Sequence, residues 1–441
     1  MGRPLCAPLR AAACALLLTA INALAQAPAE LRNMELIGQH ALSGRSAYQP
    51  VIEKQGTRWI AYVGHHAGAA VNPRTGAKEP NGTSVLDVSD PKLPVLLAHI
   101  PGQGGGAQMV RACSTLPKLA GRTFLLRTLG HSAHEVWETT DPARPVRTAR
   151  VVDGLTDTHK NWWECDTGIA YLVSGVFGWR SSRMLQVFDL SNPTKPALVR
   201  NFGLPGMQPG ATGPVPTGLH GPIVAGNRVY MGYGVNSHGV LQILDRDRLL
   251  HGPKAPTERN LLYPQVGRLD LPRNLGAHTT FPILGMQVAE FSKDAEGHVR
   301  DFVLLVNEAV TQGCREARQM AWMVDVSDEA RPFPVSGYTA NEAEGGYCGR
   351  GRFGAHSSNE SFAENFYRRL VFIAFFNAGV RAVDIRDPFK PVEVGHYVPM
   401  GANTNNVEVD ARGYIYGVDR GSLGMHILGL TGAARAIMKS P

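Results

Sequence analysis

Val85-Leu86-Asp87-Val88-Ser89-Asp90-Pro91 decides the fold, because the chain repeats it. It returns as Val187-Phe188-Asp189-Leu190-Ser191-Asn192-Pro193, as Met323-Val324-Asp325-Val326-Ser327-Asp328-Glu329 and as Ala382-Val383-Asp384-Ile385-Arg386-Asp387-Pro388. Weaker copies lie at 136–142 and 243–248. The acids at 87, 138, 189, 245, 325 and 384 stand 51, 51, 56, 80 and 59 residues apart. Apolar residues around the acid mark a strand. The following Ser or Asp accepts a backbone N–H two residues on and starts a turn. Pro then ends the ladder, having no N–H to donate. A second strand follows, as in Pro94-Val95-Leu96-Leu97, Pro196-Ala197-Leu198-Val199 and Pro391-Val392-Glu393-Val394. Each unit therefore ends in a hairpin.

Two earlier strands complete a unit. In the fourth they are 221–224 and 228–233, joined by Gly226-Asn227; in the last they are 406–409 and 414–418. Four antiparallel strands per 45 to 60 residues describe a propeller blade. Met425-His426-Ile427-Leu428 is a third strand with nothing after it, and Met34-Glu35-Leu36-Ile37-Gly38-Gln39-His40 reads as a fourth strand with nothing before it. The expectation is an all-β, seven-bladed β-propeller whose N-terminal strand completes the C-terminal blade and removes the free edge. Composition agrees. Gly and Pro number 49 and 30 of 441 residues while charged residues make up 18%, a turn-rich and charge-poor balance that excludes extensive disorder and a long coiled coil.

The Asp-x-Ser-Asp-Pro copies and the Pro-Val-x-x-Gly segments after them resemble the LVIVD repeat, a bacterial β-propeller repeat, over most of residues 34–430. The resemblance implies a secreted or periplasmic propeller and no particular activity.

Residues 1–25 read as a signal peptide, with Arg3 and Arg10 ahead of or within an apolar stretch and Ala23-Leu24-Ala25 as the cleavage site. Residues 26–441 then form one propeller domain, periplasmic or secreted. Loss of the two Arg lowers the net charge from +7 to +5. Basic residues are scattered, so nucleic acid is not an expected partner. No later apolar run is long enough to span a membrane, and a closed propeller is expected as a monomer. Four cysteines remain in the exported chain, with disulfides expected. Cys314 and Cys348 lie on loops of one face and can bridge. Cys113 and Cys165 fall at similar depth on adjacent inner strands, either bridged or as two buried thiols.

The first strand of each blade lines the central channel. Its start reads Tyr48-Gln49, Gln108, His159, His220, His278, His356 and Asn405 around the seven blades. Four consecutive blades thus place His at one structural position. Imidazoles suit Fe, Cu or Zn, so His159, His220, His278 and His356 form a candidate site for a divalent transition metal. Glu164, Glu308 and Glu360 are candidates to hold the imidazoles from behind. The arrangement is similar in architecture, not in sequence, to the carotenoid cleavage oxygenases, propellers with four axial His on Fe(II). Here the histidines sit on adjacent blades and are expected to form an arc. His65-His66 and His131/His134 are expected in loops. Repeat duplication also copies residues without a role, so three readings stand. One is a binding protein with a His-lined axial pocket for a small molecule or protein, with or without metal. The second is a metal-dependent oxidoreductase or lyase, and the third a metal-free interaction scaffold.

Overall fold

In the computed structural model, which describes residues 2, 29–235, 237–288 and 299–440, the repeated hairpins belong to seven antiparallel sheets. The expected leader, 1–25, lies outside the described residues apart from Gly2. The innermost strands of blades 1 to 7 are Ala47–Gln55, Val110–Cys113, Asn161–Trp163, Leu219–Ala225, Thr279–Gln287, Ser357–Ser358 and Thr404–Val409. Each touches the next, and the last touches the first, so the blades close into a ring. Second and third strands are sandwiched between neighbouring blades and are buried on both faces, which explains runs such as Phe124–Leu129 and Leu370–Ala374. Outermost strands face solvent and carry mixed patterns, as in Val95–Ile100.

Ring closure follows the sequence reading. Met34–His40 pairs antiparallel with Met425–Leu430, with Met34 opposite Leu430 and His40 opposite Met425. The joint is cemented by apolar packing of Leu42, Ala61 and Leu86 from the N-terminal side against Tyr416, Val418, Met425 and Ile427. The strand before it goes beyond that reading. Glu30–Arg32 adds a fifth strand to blade 6 against Val392–Val398. Glu30 is gripped there by Tyr347 at 3.0 Å and Arg350 at 2.6 Å.

The repeated turn is tighter than expected. The anchor acids themselves accept the N–H two residues on: Asp87 from Ser89 at 2.9 Å, Asp189 from Ser191 at 2.8 Å, Asp325 from Ser327 at 2.9 Å and Asp384 from Arg386 at 3.0 Å. The acid or amide three residues later repeats the bond, Asp90 to Lys92 at 2.9 Å and Asn192 to Thr194 at 3.1 Å. Two consecutive Asx turns reverse the chain. Blade 4 departs from this. Asp245 instead caps the helix Arg246–His251 by accepting from the Arg248 N–H, and the fourth strand waits until Gln265–Asp270.

Cys113–Cys165 and Cys314–Cys348 are both disulfide-bonded, each with Cα atoms 5.3 Å apart. The first ties blade 2 to blade 3. Contrary to expectation, His65 ends the strand Arg58–His65 and His134 lies within Ala133–Glu138, both buried. Among the described residues no helix is long and apolar enough to cross a membrane.

Candidate metal centre on the propeller axis

The backbone places three of the four histidines alike, while His220 lies within its inner strand Leu219–Ala225. The N–H of His159 donates to Val173 O at 3.0 Å, that of His278 to Val306 O at 2.9 Å and that of His356 to Ala374 O at 2.9 Å, each on the second strand of its own blade. Their rings meet in sequence order. Centroids are 4.7 Å apart for His159 and His220, 3.5 Å for His220 and His278, and 4.4 Å for His278 and His356. The arc does not stay open. Tyr48 of blade 1 stands 6.0 Å from His356 and 5.5 Å from His159, edge-on to both.

Each Nδ1 has an acceptor. His220 Nδ1 donates to His278 O at 2.7 Å, and His356 Nδ1 donates to Asn405 O. His159 Nδ1 donates to Gln108 Oε1 at 3.1 Å, and His278 Nδ1 bonds Thr279 Oγ1 at 3.0 Å. A proton held on Nδ1 leaves the lone pair on Nε2. The Nε2 atoms of His159 and His220 face each other at 2.9 Å, and Tyr48 Oη donates to that of His159 at 3.1 Å. His278 Nε2 is buried and has no hydrogen-bond partner among the described residues.

Glu308, just past the second strand of blade 5, faces this cluster. Its Oε2 lies 3.6 Å from His278 Nε2 and its Oε1 3.6 Å from His356 Nε2. Ligand atoms of His220, His278 and Glu308 all fall within 4.8 Å of one another. Arg352, stacked 3.8 Å over Phe376, donates to Glu308 Oε1 at 2.8 Å and fixes the carboxylate. Burial pushes the Glu308 carboxyl up while the Arg352 charge pulls it down. Burial also holds all four imidazoles well below the usual histidine range, reinforced by Arg183 at His159, Lys160 at His220 and Arg352 at His356. They are neutral at pH 7, the form that ligates metal.

The other two acids serve elsewhere. Glu164 is engaged by Arg246 at 2.7 Å and by Tyr171, and bonds none of the four histidines. Arg246 opens the helix that replaces the blade 4 turn, so the acid answers a cation that the repeat pattern does not contain. Glu360 lies two residues past the inner strand Ser357–Ser358 and accepts from Lys160 and Arg111. Two buried cations take both its oxygens. Lys160 fits because Gly221 has no side chain: a Cβ there would stand 2.3 Å from Lys160 Cδ. Glu408 completes this charged tier, accepting the N–H groups of Glu360 at 3.2 Å and Ser361 at 3.0 Å, and burial pushes its carboxyl up to about 7.

A model of the LVIVD repeat matches residues 181–203 and 369–398. The chain carries LVIVD repeats. The matched segments cover the third and fourth strands of blade 3 and the second to fourth of blade 6. The LVIVD signal thus lies in the outer strands, and none of the axial histidines falls inside it. The chain is similar to the solved structure of U3-55K, with TM-score 0.53 and 11% identity over 90% of this chain and 98% of that one, a likeness of fold alone. No curated protein matches the chain.

The blades also bring to the axis residues that no repeat spacing marks. Tyr48, His66, Arg183 and Arg420 line a cavity of about 290 Å³ with Gln108, His159, Val235 and Glu308. His66 packs against Tyr48 with centroids 5.1 Å apart. Only the alignment of inner-strand starts pointed to Tyr48; Arg183 and Arg420 come from loops with no shared register.

Proposed function

We propose that the protein is an exported, metal-dependent binding propeller. Its axial centre takes a divalent transition metal among His159, His220, His278 and Glu308, with His356 alongside. The observation that carries this is the pair of Nε2 atoms of His159 and His220 at 2.9 Å. Both Nδ1 atoms bond partners elsewhere, so each Nε2 has a lone pair to offer a cation, that of His159 shared with the Tyr48 hydroxyl 3.1 Å away. Two ligands at the usual ~2.0–2.1 Å from one ion stand about 2.9 Å apart at a right angle. A donor set of imidazoles and one carboxylate suits Fe, Zn or Cu, and Arg352 and the Nδ1 acceptors orient it as outer groups do in metal sites. The two disulfides fit an oxidising compartment, in keeping with removal of residues 1–25 on export. Catalysis at the same centre, as a metal-dependent oxidoreductase or lyase, is the second reading, favoured by the cavity that opens beside His159.

Elemental analysis of protein expressed with its leader tests the proposal, followed by titration of stripped protein with Zn²⁺, Fe²⁺ and Cu²⁺. One ion per chain is expected, lost in His278→Ala and weakened at least tenfold in Glu308→Gln. Protein that is metal-free as isolated and takes up none of the three would end this reading and restore the metal-free scaffold.

A further inference from the structure

The cavity beside the axial histidines has an unbalanced charge. Arg183 is neutralised by Asp157, which accepts from its Nε at 2.8 Å and its Nη2 at 2.9 Å. Arg352 is neutralised by Glu308. Arg420 has no carboxylate within ion-pair distance among the described residues. Its only side-chain bond there is a long one, 3.4 Å, from Nη1 to Asn405 Oδ1. It lines the same cavity as Tyr48, His159 and Glu308. Among the cationic side chains of the walls, Arg420 is therefore the one left without a carboxylate, beside whatever charge a divalent ion adds.

From this we propose that the cavity takes a small dicarboxylate, one carboxylate on the axial metal and the other on Arg420. The proposal rests on the metal reading above. A guanidinium presents a planar fork that matches a carboxylate with two parallel bonds. Arg420 spends little of its fork on the protein. Arg183 uses two of its five N–H groups on Asp157, leaving Nη1 for the same ligand. Size sets the upper limit. About 290 Å³ corresponds to roughly ten waters at ~30 Å³ each, so a ligand of roughly ten non-hydrogen atoms fills it. An apolar or cationic ligand would leave the Arg420 charge unpaired beside a dication, which a partly enclosed site disfavours.

Calorimetric titration with malonate and succinate tests this on metal-loaded and metal-stripped protein, alongside Arg420→Met and Arg420→Lys. Inorganic phosphate serves as the competing oxyanion. Metal content is measured first on every sample. With metal bound, malonate or succinate binding is expected, weakened at least tenfold in Arg420→Met and less in Arg420→Lys, with metal content unchanged because Arg420 bonds none of the ligands. Stripping the metal should weaken binding at least tenfold. Loaded protein that ignores both dicarboxylates, or prefers phosphate, would overturn this proposal and leave the metal reading intact. Absence of metal uptake would instead remove the reading on which it rests. Arg420→Met protein that keeps metal and still binds malonate as tightly as wild type would also overturn it.

Discussion

Replacing Glu360 by Gln leaves two buried cations facing an amide. The Glu360 side chain has no solvent exposure, and those of Lys160 and Arg111 are 2% and 10% exposed. Removing one partner of a buried ion pair costs about 3–5 kcal/mol, because the remaining charge stays desolvated and unpaired. Here two cations lose the same anion, which places the expected loss at the upper end. Glu138 is the internal control. Arg122 holds it by two bonds of 2.9 and 2.6 Å, but these side chains are 43% and 30% exposed. Glu138→Gln should cost less than about 1 kcal/mol. Denaturant midpoints followed by tryptophan fluorescence give both values. Lys160→Met combined with Glu360→Gln should recover more than half of the loss, since Arg111 then faces Glu408 alone. The acid limb gives a second reading of the same group. The two cations, against the effect of burial, hold the Glu360 carboxyl below its ordinary value. Its contribution is therefore present above the unfolded carboxyl range and is lost as pH falls through the folded value. The gap between wild type and Glu360→Gln should shrink below about pH 4.5. Equal losses for Glu360→Gln and Glu138→Gln, or a double variant no better than the single, would refute the reasoning.

Deleting residues 1–40 uncovers the buried strand Met425–Leu430 along six paired positions. At roughly 1 kcal/mol net per ladder bond the loss is several kcal/mol, and size-exclusion chromatography should show association through the bared edge. A monomer of unchanged melting temperature would count against ring closure as a stabilising device. Cys113→Ala with Cys165→Ala opens a loop of 52 residues and should cost roughly 4 kcal/mol in the chain-entropy picture, read as a midpoint shift absent under reducing conditions. Burial holds His134 and His426 down to about 4. The unfolded chain binds their protons first, so stability is full above about pH 6.5 and falls as pH drops towards 4, approaching ~1.4 kcal/mol per pH unit for each histidine. A stability profile flat from pH 7 to 5 would contradict this.

The fold was legible in the sequence because a propeller repeats its punctuation. Asp87, Asp189, Asp325 and Asp384 do the same local job four times, and local jobs leave local signatures. Ring closure was legible for a related reason: the strand from Met34 resembles the fourth strands, so its absence from its own sheet could be noticed. The short strand Glu30–Arg32 carries no such signature, and its place on blade 6 depends on Tyr347 and Arg350, over 300 residues away. The histidines were legible by register. Their partners were not. Glu164, Glu308 and Glu360 look equivalent in sequence, and only the third dimension separates the one facing His278 from those held by Arg246 and by Lys160 with Arg111. Arg420 was invisible because its importance lies in what does not surround it.

Duplication alone would also carry one histidine into four successive blades, and the Nδ1 partners help to weigh that against a retained role. A copied residue kept only by descent tends to keep a copied environment. Here the backbone setting is shared by His159, His278 and His356, each N–H being held by its own second strand. The Nδ1 partners are shared only in part. His220 and His356 bond the carbonyl of the aligned residue on the next blade, whereas His159 meets the amide of Gln108 and His278 the hydroxyl of Thr279. Three kinds of group meet the same end of four rings, and the Nε2 atoms of His159, His278 and His356 turn towards one another's ring neighbours or Glu308. Ring orientation has been kept while the means of keeping it diverged. That is the pattern expected when the inward nitrogen is the part under constraint, and it is why His278→Ala, at a buried inward nitrogen with no hydrogen-bond partner among the described residues, is the most informative single substitution.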